Sequence, residues 1–232
     1  AALGANTTGA GNVAVGTNAL DANTEGDDNI AVGKDALGVS TTGDANIAMG
    51  TGALDANTTA NHNVGVGTNA LGANTTGTAN VALGHRALDA NTTADNNTAV
   101  GYDALTANTT GARNNGVGYR ALASATTGYY NTAIGHQAGD DITDGFKNIC
   151  IGHDADISAG GNQHTIVIGE SITAASNDFS FGKASNVVTN DFDTDANWSR
   201  SSDERLKKNI TNQTLGLDFI NDLRTVKYNW KA

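Results

Sequence analysis

Glycine recurs at Gly16, Gly33, Gly50, Gly67, Gly84, Gly101, Gly118, Gly135, Gly152 and Gly169, always at the same interval and without a slip. Other residues keep the same phase. Asn runs from Asn12 to Asn148, Ala from Ala19 to Ala155, Leu from Leu20 to Leu122 and Thr from Thr7 to Thr143. One unit reads N-V-A-V-G-T-N-A-L-D-A-N-T-T-G-x-x, with local changes. A fixed period of this kind demands a repeat architecture, in which each unit buries its apolar face against its neighbours. A unit of this length is too short for a pair of helices, and Gly, Asn and β-branched residues oppose helix. The unit fits one coil of a parallel β-solenoid, an all-β roll.

Within a coil, N-V-A-V predicts the strand, with Val13 and Val15 on one face and Ala14 on the other. Gly16 permits a turn closed to other residues. Leu20 returns to fill the coil, and Asn23-Thr24 makes a second corner where side chains bond to backbone. Stacked coils rise roughly 4.8 Å each, so the repeats predict a rod roughly 45–50 Å long. Each coil offers only a few modest apolar side chains, which makes a lone thin roll marginal. The alternate strand face is a row of small residues: Ala14, Ala31, Ala48, Gly65, Ala82, Ala99, Gly116 and Ala133. That row is expected to be an oligomer seam, with cyclic symmetry about the rod axis.

Composition excludes several classes. The chain has 29 Gly, no Pro and 5 % aromatic residues, and no aromatic precedes Tyr102. Its net charge is −11; residues 1–200 hold 20 acidic and 7 basic side chains. An acidic body repels phosphate, so nucleic acid is not an expected partner. No apolar run approaches the length of a membrane span, so no membrane insertion is expected. The single Cys150 cannot form an intrachain disulfide. No phosphate loop or catalytic triad is evident, and neither a cofactor nor an external substrate is expected.

Residues 12–20, N-V-A-V-G-T-N-A-L, resemble the head repeat of trimeric autotransporter adhesins, N-x-x-A-x-G-x-x-A. That resemblance covers roughly residues 1–170 and implies trimers of left-handed parallel β-rolls. This chain departs from the pattern by inserting A-N-T-T-G, which lengthens its coil. The shaft is therefore assigned to 1–170. Residues 171–201 are expected to hold a degenerate terminal coil, with Phe179 and Phe181 in place of the valines to cover the open core. An Asp- and Asn-rich linker follows over Thr189–Asn197, with Trp198 plugging the junction.

The tail, 202–232, predicts a short α+β fragment. Leu215, Phe219, Ile220 and Leu223 share a helical face, and Val226–Trp230 alternates as a strand. Its opening S-D-E-R-L-K-K-N-I and later Y-N-W resemble the start of the intramolecular chaperone domain of phage tail spikes and endosialidases, the peptidase S74 family. Such a domain trimerises, helps the preceding β-fibre fold and cuts itself off. The resemblance implies that Ser202 is the nucleophile, that Lys207 is its base and that cleavage falls between Ser202 and Asp203. A lysine can take the serine proton when burial or a nearby cation, here Arg205 or Lys208, lowers its pKa. Read alone, Ser201-Ser202-Asp203-Glu204 also makes a helix-capping box.

The residue after each repeat glycine varies most: Thr17, Lys34, Thr51, Thr68, His85, Tyr102, Tyr119, His136, His153, Glu170. It is expected to form an exposed column stacked between coils. Tyr102 and Tyr119, with Tyr129 and Tyr130 nearby in sequence, are candidate contacts to a cell-surface glycan or protein receptor. His136 and His153 are close enough in phase to share a metal, but with no third ligand evident they read as a solvated pair. Asp140, Asp141 and Asp144 read as turn residues rather than a calcium loop. The N-T-T sequons at Asn6, Asn57, Asn74, Asn91 and Asn108 read as a structural ladder, given their phase.

These readings converge on a trimeric extracellular fibre, a phage tail-fibre or tail-spike shaft on the virion that supports host receptor attachment, with a bacterial surface adhesin as the alternative. Two rivals are a monomeric ice-binding solenoid using its Thr columns and a self-processing enzyme with the rod as accessory.

Overall fold

The computed structural model describes residues 1–194, which form a parallel β-solenoid with no helix among them. Each coil contributes one short strand: β1 (Val13–Val15), β2 (Ile30–Val32), β3 (Ile47–Met49), β4 (Val64–Val66), β5 (Val81–Leu83), β6 (Thr98–Val100), β7 (Asn115–Val117), β8 (Thr132–Ile134) and β9 (Ile149–Ile151). The return leg of the last coils adds β10 (Ala155–Ile157) and β12 (Ile172–Ala174), and the sheet continues through β11 (Ile166–Glu170) and β13 (Asp178–Lys183) to β14 (Asn186–Asp191). The parallel register is the sequence period itself: Val13 pairs with Ile30 and Ile30 with Ile47.

The strand faces are the reverse of the sequence expectation. Ala31, Ala48, Ala82, Ala99 and Ala133 are fully buried inside the coil, while Val15, Met49 and Ile134 are 58 %, 43 % and 45 % exposed. The small-residue row is thus the core, not an outer seam. Its partner is the column of leucines, Leu20 to Leu122, which are also fully buried. The reason is the width of the coil. A Cβ placed on Gly65 would lie 3.0 Å from the carbonyl oxygen of Ala70 and 3.3 Å from Cγ of Leu54. Once leucine occupies the return leg, the space left opposite admits a methyl group and nothing longer.

Asparagine holds the coils together. From Asn29 to Asn148, each Asn of the strand-entry column donates its backbone N–H to the side-chain oxygen of its counterpart one coil earlier. Asn63 N meets Asn46 Oδ1 at 3.0 Å, for example, and Asn46 Nδ2 donates to the Ala60 carbonyl at 2.8 Å. Asn supplies an acceptor and a donor on one short arm, which aspartate does not. These residues are buried and paired, as buried amides must be. At the second corner, Thr58 Oγ1 donates to the Thr75 carbonyl at 3.2 Å, and the same contact recurs along the column.

The repeat glycine has no substitute. Gly67 sits at φ +135°, and a Cβ there would meet the Gly84 carbonyl oxygen at 2.4 Å. Glycine is not the only left-handed residue, however. Leu54 has φ 53° while its N–H donates to the Ala70 carbonyl at 3.0 Å. Sequence reasoning did not foresee leucine in this unfavourable region. The conformation lets one residue bury its side chain and still join the next coil.

Toward the end of the roll, Phe179 and Phe181 pair in register with Ile166 and Ile168. Phe181 lies on the outer face, 36 % exposed, and Ser180 is the buried residue between. The phenylalanines therefore do not cover the core. Thr189–Asp191, expected to be linker, belongs to β14, which turns back antiparallel on β13. An antiparallel strand ends the parallel stack by pairing its last edge. Trp198, the helix over Leu215–Leu223 and the strand over Val226–Trp230 lie outside the described residues.

Candidate functional site

The column after the repeat glycine is exposed along its whole length. Gly at strand end turns the chain outward, and the constant period places each side chain above its equivalent. Where the sequence puts rings there, they stack. His85 and Tyr102 lie 5.0 Å apart between centroids, Tyr102 and Tyr119 5.6 Å, Tyr119 and His136 4.9 Å, and His136 and His153 5.0 Å. Their planes are within 19° of parallel. Tyr102 and Tyr119 each have a ring on both sides. The column therefore presents ring edges, phenol hydroxyls and imidazole nitrogens to solvent.

Tyr129 and Tyr130 are not part of this column. They precede β8, whereas Tyr119 and His136 follow β7 and β8, so the two groups border the sheet at opposite ends of its strands. Tyr129 stacks on Phe146 at 4.9 Å and meets Tyr130 edge-on at 5.7 Å. Arg113 lies over the Tyr130 ring at 5.1 Å and donates from Nη1 to its hydroxyl. This second group mixes cations with rings, an arrangement worth a fraction of a kcal/mol to about 1 kcal/mol at an exposed site.

The upper end of the first column holds a donor set that the sequence reading missed. Asp154 Oδ2 lies 3.2 Å from His153 Nδ1, and Asp154 Oδ1 lies 3.8 Å from His136 Nδ1. One nitrogen from each histidine and one Asp154 oxygen lie within 4.8 Å of one another. The signal was an aspartate directly after the second histidine. It is easily passed over, because adjacent residues of a strand point to opposite faces. Asp154 has φ 48°, in a turn, and alternation does not apply there.

Beside it, Gln137, Asp140, Asp141, Asp154, Asp156 and Thr173 line a shallow groove of about 260 Å³. Burial, together with the charges of Asp141 and Asp140, pushes the Asp156 carboxyl up to about 6, against the opposing pull of the backbone N–H groups of Asp141 and Ile157. Asp140 pairs with Arg120 at 3.4 Å, and Asp144 accepts from Thr143 Oγ1 at 3.0 Å. Asn57, Asn74, Asn91 and Asn108 are fully buried, and each donates to the carbonyl three residues on. Asn74, Asn91 and Asn108 also donate to the side-chain oxygen one coil earlier, which is the expected ladder; Asn6, in the first coil, is exposed.

Ser202, Asp203 and Lys207 lie outside the described residues. Residues 202–232 match the peptidase S74 family, described as chaperone of endosialidase. The chain thus carries a β-solenoid followed in sequence by the S74 segment that its opening motif resembled. No curated protein and no solved structure matches the chain. No helix among the described residues is long and apolar enough to cross a membrane.

Proposed function

We propose that this chain is part of a homotrimeric extracellular fibre of phage tail-fibre or tail-spike type, matured when a C-terminal chaperone severs the Ser202–Asp203 bond. The observation that carries the reading is the S74 match at 202–232, on a chain whose preceding residues are a fibre-like solenoid. Chaperone chemistry suits such a fold. Parallel coils have few local contacts, form slowly and leave edges exposed until stacked.

The outer strand face supports the trimer. Val15, Val32, Met49, Val66, Leu83, Val100, Val117, Ile134, Ile151, Ile168 and Phe181 form an unbroken apolar column along the sheet. A continuous apolar stripe, exposed or half-buried at every coil of a thin roll, calls for a partner. We assign the seam to this stripe, in place of the buried alanine row. The resemblance to autotransporter head repeats favours the same assembly, and a bacterial surface adhesin is its sibling reading. Receptor attachment would use Tyr102 and Tyr119 at one end of the strands or Tyr129 and Tyr130 at the other.

Native mass spectrometry of the chain with its natural downstream sequence tests the reading. Three subunits ending at Ser202, with a released C-terminal fragment, are expected. Ser202→Ala and Lys207→Ala should each abolish release while leaving the solenoid's circular dichroism intact. An uncut monomer would sink the trimer and the self-cleaving chaperone together, and a thermal-hysteresis measurement would then test the ice-binding rival. That rival has less support, because the hydroxyls of Thr24, Thr41, Thr58, Thr75, Thr92 and Thr109 are all donated to backbone carbonyls.

A further inference from the structure

We propose that His136, His153 and Asp154 bind one divalent transition-metal ion of the zinc type, clamping two successive coils on the outer surface of the roll. The donors are two imidazole nitrogens and one carboxylate oxygen. That set suits zinc, nickel or copper rather than calcium or magnesium, which take oxygen ligands.

The three donors lie within side-chain reach of one ion. Ligands about 2.0–2.2 Å from a tetrahedral ion lie about 3.3 Å from one another. His153 Nδ1 and Asp154 Oδ2 are already 3.2 Å apart. His136 Nδ1 lies 3.8 Å from the other carboxylate oxygen, Oδ1, and one donor atom from each residue lies within 4.8 Å of the other two, so the side chains must close by up to about 1.5 Å to share an ion. The two imidazoles are stacked with planes within 14° of parallel, and a metal takes each nitrogen along its in-plane lone pair, so ion binding must tilt at least one ring out of the stack.

The backbone under the site is pinned by coil-to-coil hydrogen bonds. Asp154 N donates to the His136 carbonyl at 3.0 Å, and Ser171 N donates to the His153 carbonyl at 2.8 Å. The backbone positions of the three residues are therefore set before any ion arrives, and only side-chain rotation remains to be ordered. Charge favours a cation as well. Asp140, Asp141 and Asp156 line the groove that Asp154 borders. The cations nearby are engaged elsewhere: Arg120 with Asp140, and Lys183 with Glu170 at 2.9 Å. The side chains of His136 and His153 are 47 % and 54 % exposed, so the remaining coordination positions open to water. An ion held only by the folded stack stabilises it by mass action.

Titration of the metal-stripped full chain with ZnCl2 in a calorimeter tests the site, with Co²⁺ absorption as a second readout. One saturable ion per chain is expected, with a tetrahedral cobalt spectrum and a rise in Tm on metal addition. His153→Phe keeps a ring in the stack and removes a ligand. Asp154→Asn keeps a side chain tolerant of left-handed φ and removes the charge. Each should weaken zinc binding about tenfold or more and abolish the Tm response, with circular dichroism unchanged. His62→Ala, remote from the site, should bind as the parent does. No saturable binding would overturn the proposal, and so would binding that survives both His153→Phe and Asp154→Asn.

Discussion

The side-chain oxygen of Asn23 is buried and meets no donor, because the coil above carries Ser40 where the neighbouring coils carry asparagine. Where successive coils both carry asparagine the contact is made: Asn91 Nδ2 donates to Asn74 Oδ1 at 2.8 Å, and Asn108 Nδ2 to Asn91 Oδ1 at 2.9 Å. Asn108 Oδ1, below Ala125, is again buried without a donor. The hydroxyl of Ser40 is itself buried and unpartnered. Ser40→Asn would bridge Asn23 below and Asn57 above, and would reach the Gly43 carbonyl as its equivalents do. Relieving buried unsatisfied groups is worth about 1–3 kcal/mol. The urea midpoint of the variant should rise; an unchanged or lower midpoint would count against the ladder as a source of stability.

Gly65 and Gly67, neighbours in one coil, should respond to alanine differently. Gly67→Ala puts a methyl group 2.4 Å from the Gly84 carbonyl at a φ of +135°, and the stacked backbone has nowhere to move. A loss of about 3 kcal/mol or more is expected. Gly65→Ala instead restores the residue found at Ala48 and Ala82 in the same inward column. Those coils already accommodate the methyl, so once Leu54 and the Ala70 carbonyl give by a few tenths of an ångström, fewer unfolded conformations should leave the variant near neutral or stabilised by up to about 1 kcal/mol. Thermal denaturation of the pair decides it. Equal destabilisation would mean that the inward column is not interchangeable between coils.

Cys150 should be chemically silent in the folded protein. It is fully buried in the inward column between Ala133 and Val167. Burial, and next the charge of Asp156, push its thiol far above the ordinary range. Only the thiolate reacts appreciably. An aromatic disulfide reagent at mildly alkaline pH should find no thiol in the native chain and one per chain in denaturant. Rapid native labelling would mean that the coils open locally at this level.

If the outer apolar column is the trimer seam, charge on it should separate subunits without unfolding them. Val117 and Ile134 are 37 % and 45 % exposed in the single chain and are neighbours in register. The double variant Val117→Lys, Ile134→Lys buries two ammonium groups at the seam, a cost of several kcal/mol per subunit contact. Sedimentation should show the trimer replaced by monomer at unchanged circular dichroism. A persistent trimer would move the seam to another face.

Much of this molecule was legible in one dimension because its sequence period is its strand register. Val13 pairs with Ile30 exactly one repeat later, and the Asn, Leu and Thr columns follow from the same step. The aromatic column was readable for that reason: His85, Tyr102, Tyr119, His136 and His153 differ by one period each. The donor set at Asp154 was not, because it joins a contact between coils to one around a left-handed turn. The closing hairpin was hidden as well. There Gly169 pairs with Gly182, a shorter step than the repeat, and the register departs from the period.

The sequence alone determined that the chain completes one coil per glycine period, which residues stack upon which, and that its tail opens like an S74 chaperone. Which strand face turns inward was decided only in three dimensions. Val-Ala-Val alternates equally well either way up, and burial of the larger side chains would be the usual choice. In this coil the leucine of the return leg fills the interior, so alanine must face it, and the valines are left on the outside to meet whatever the fibre packs against.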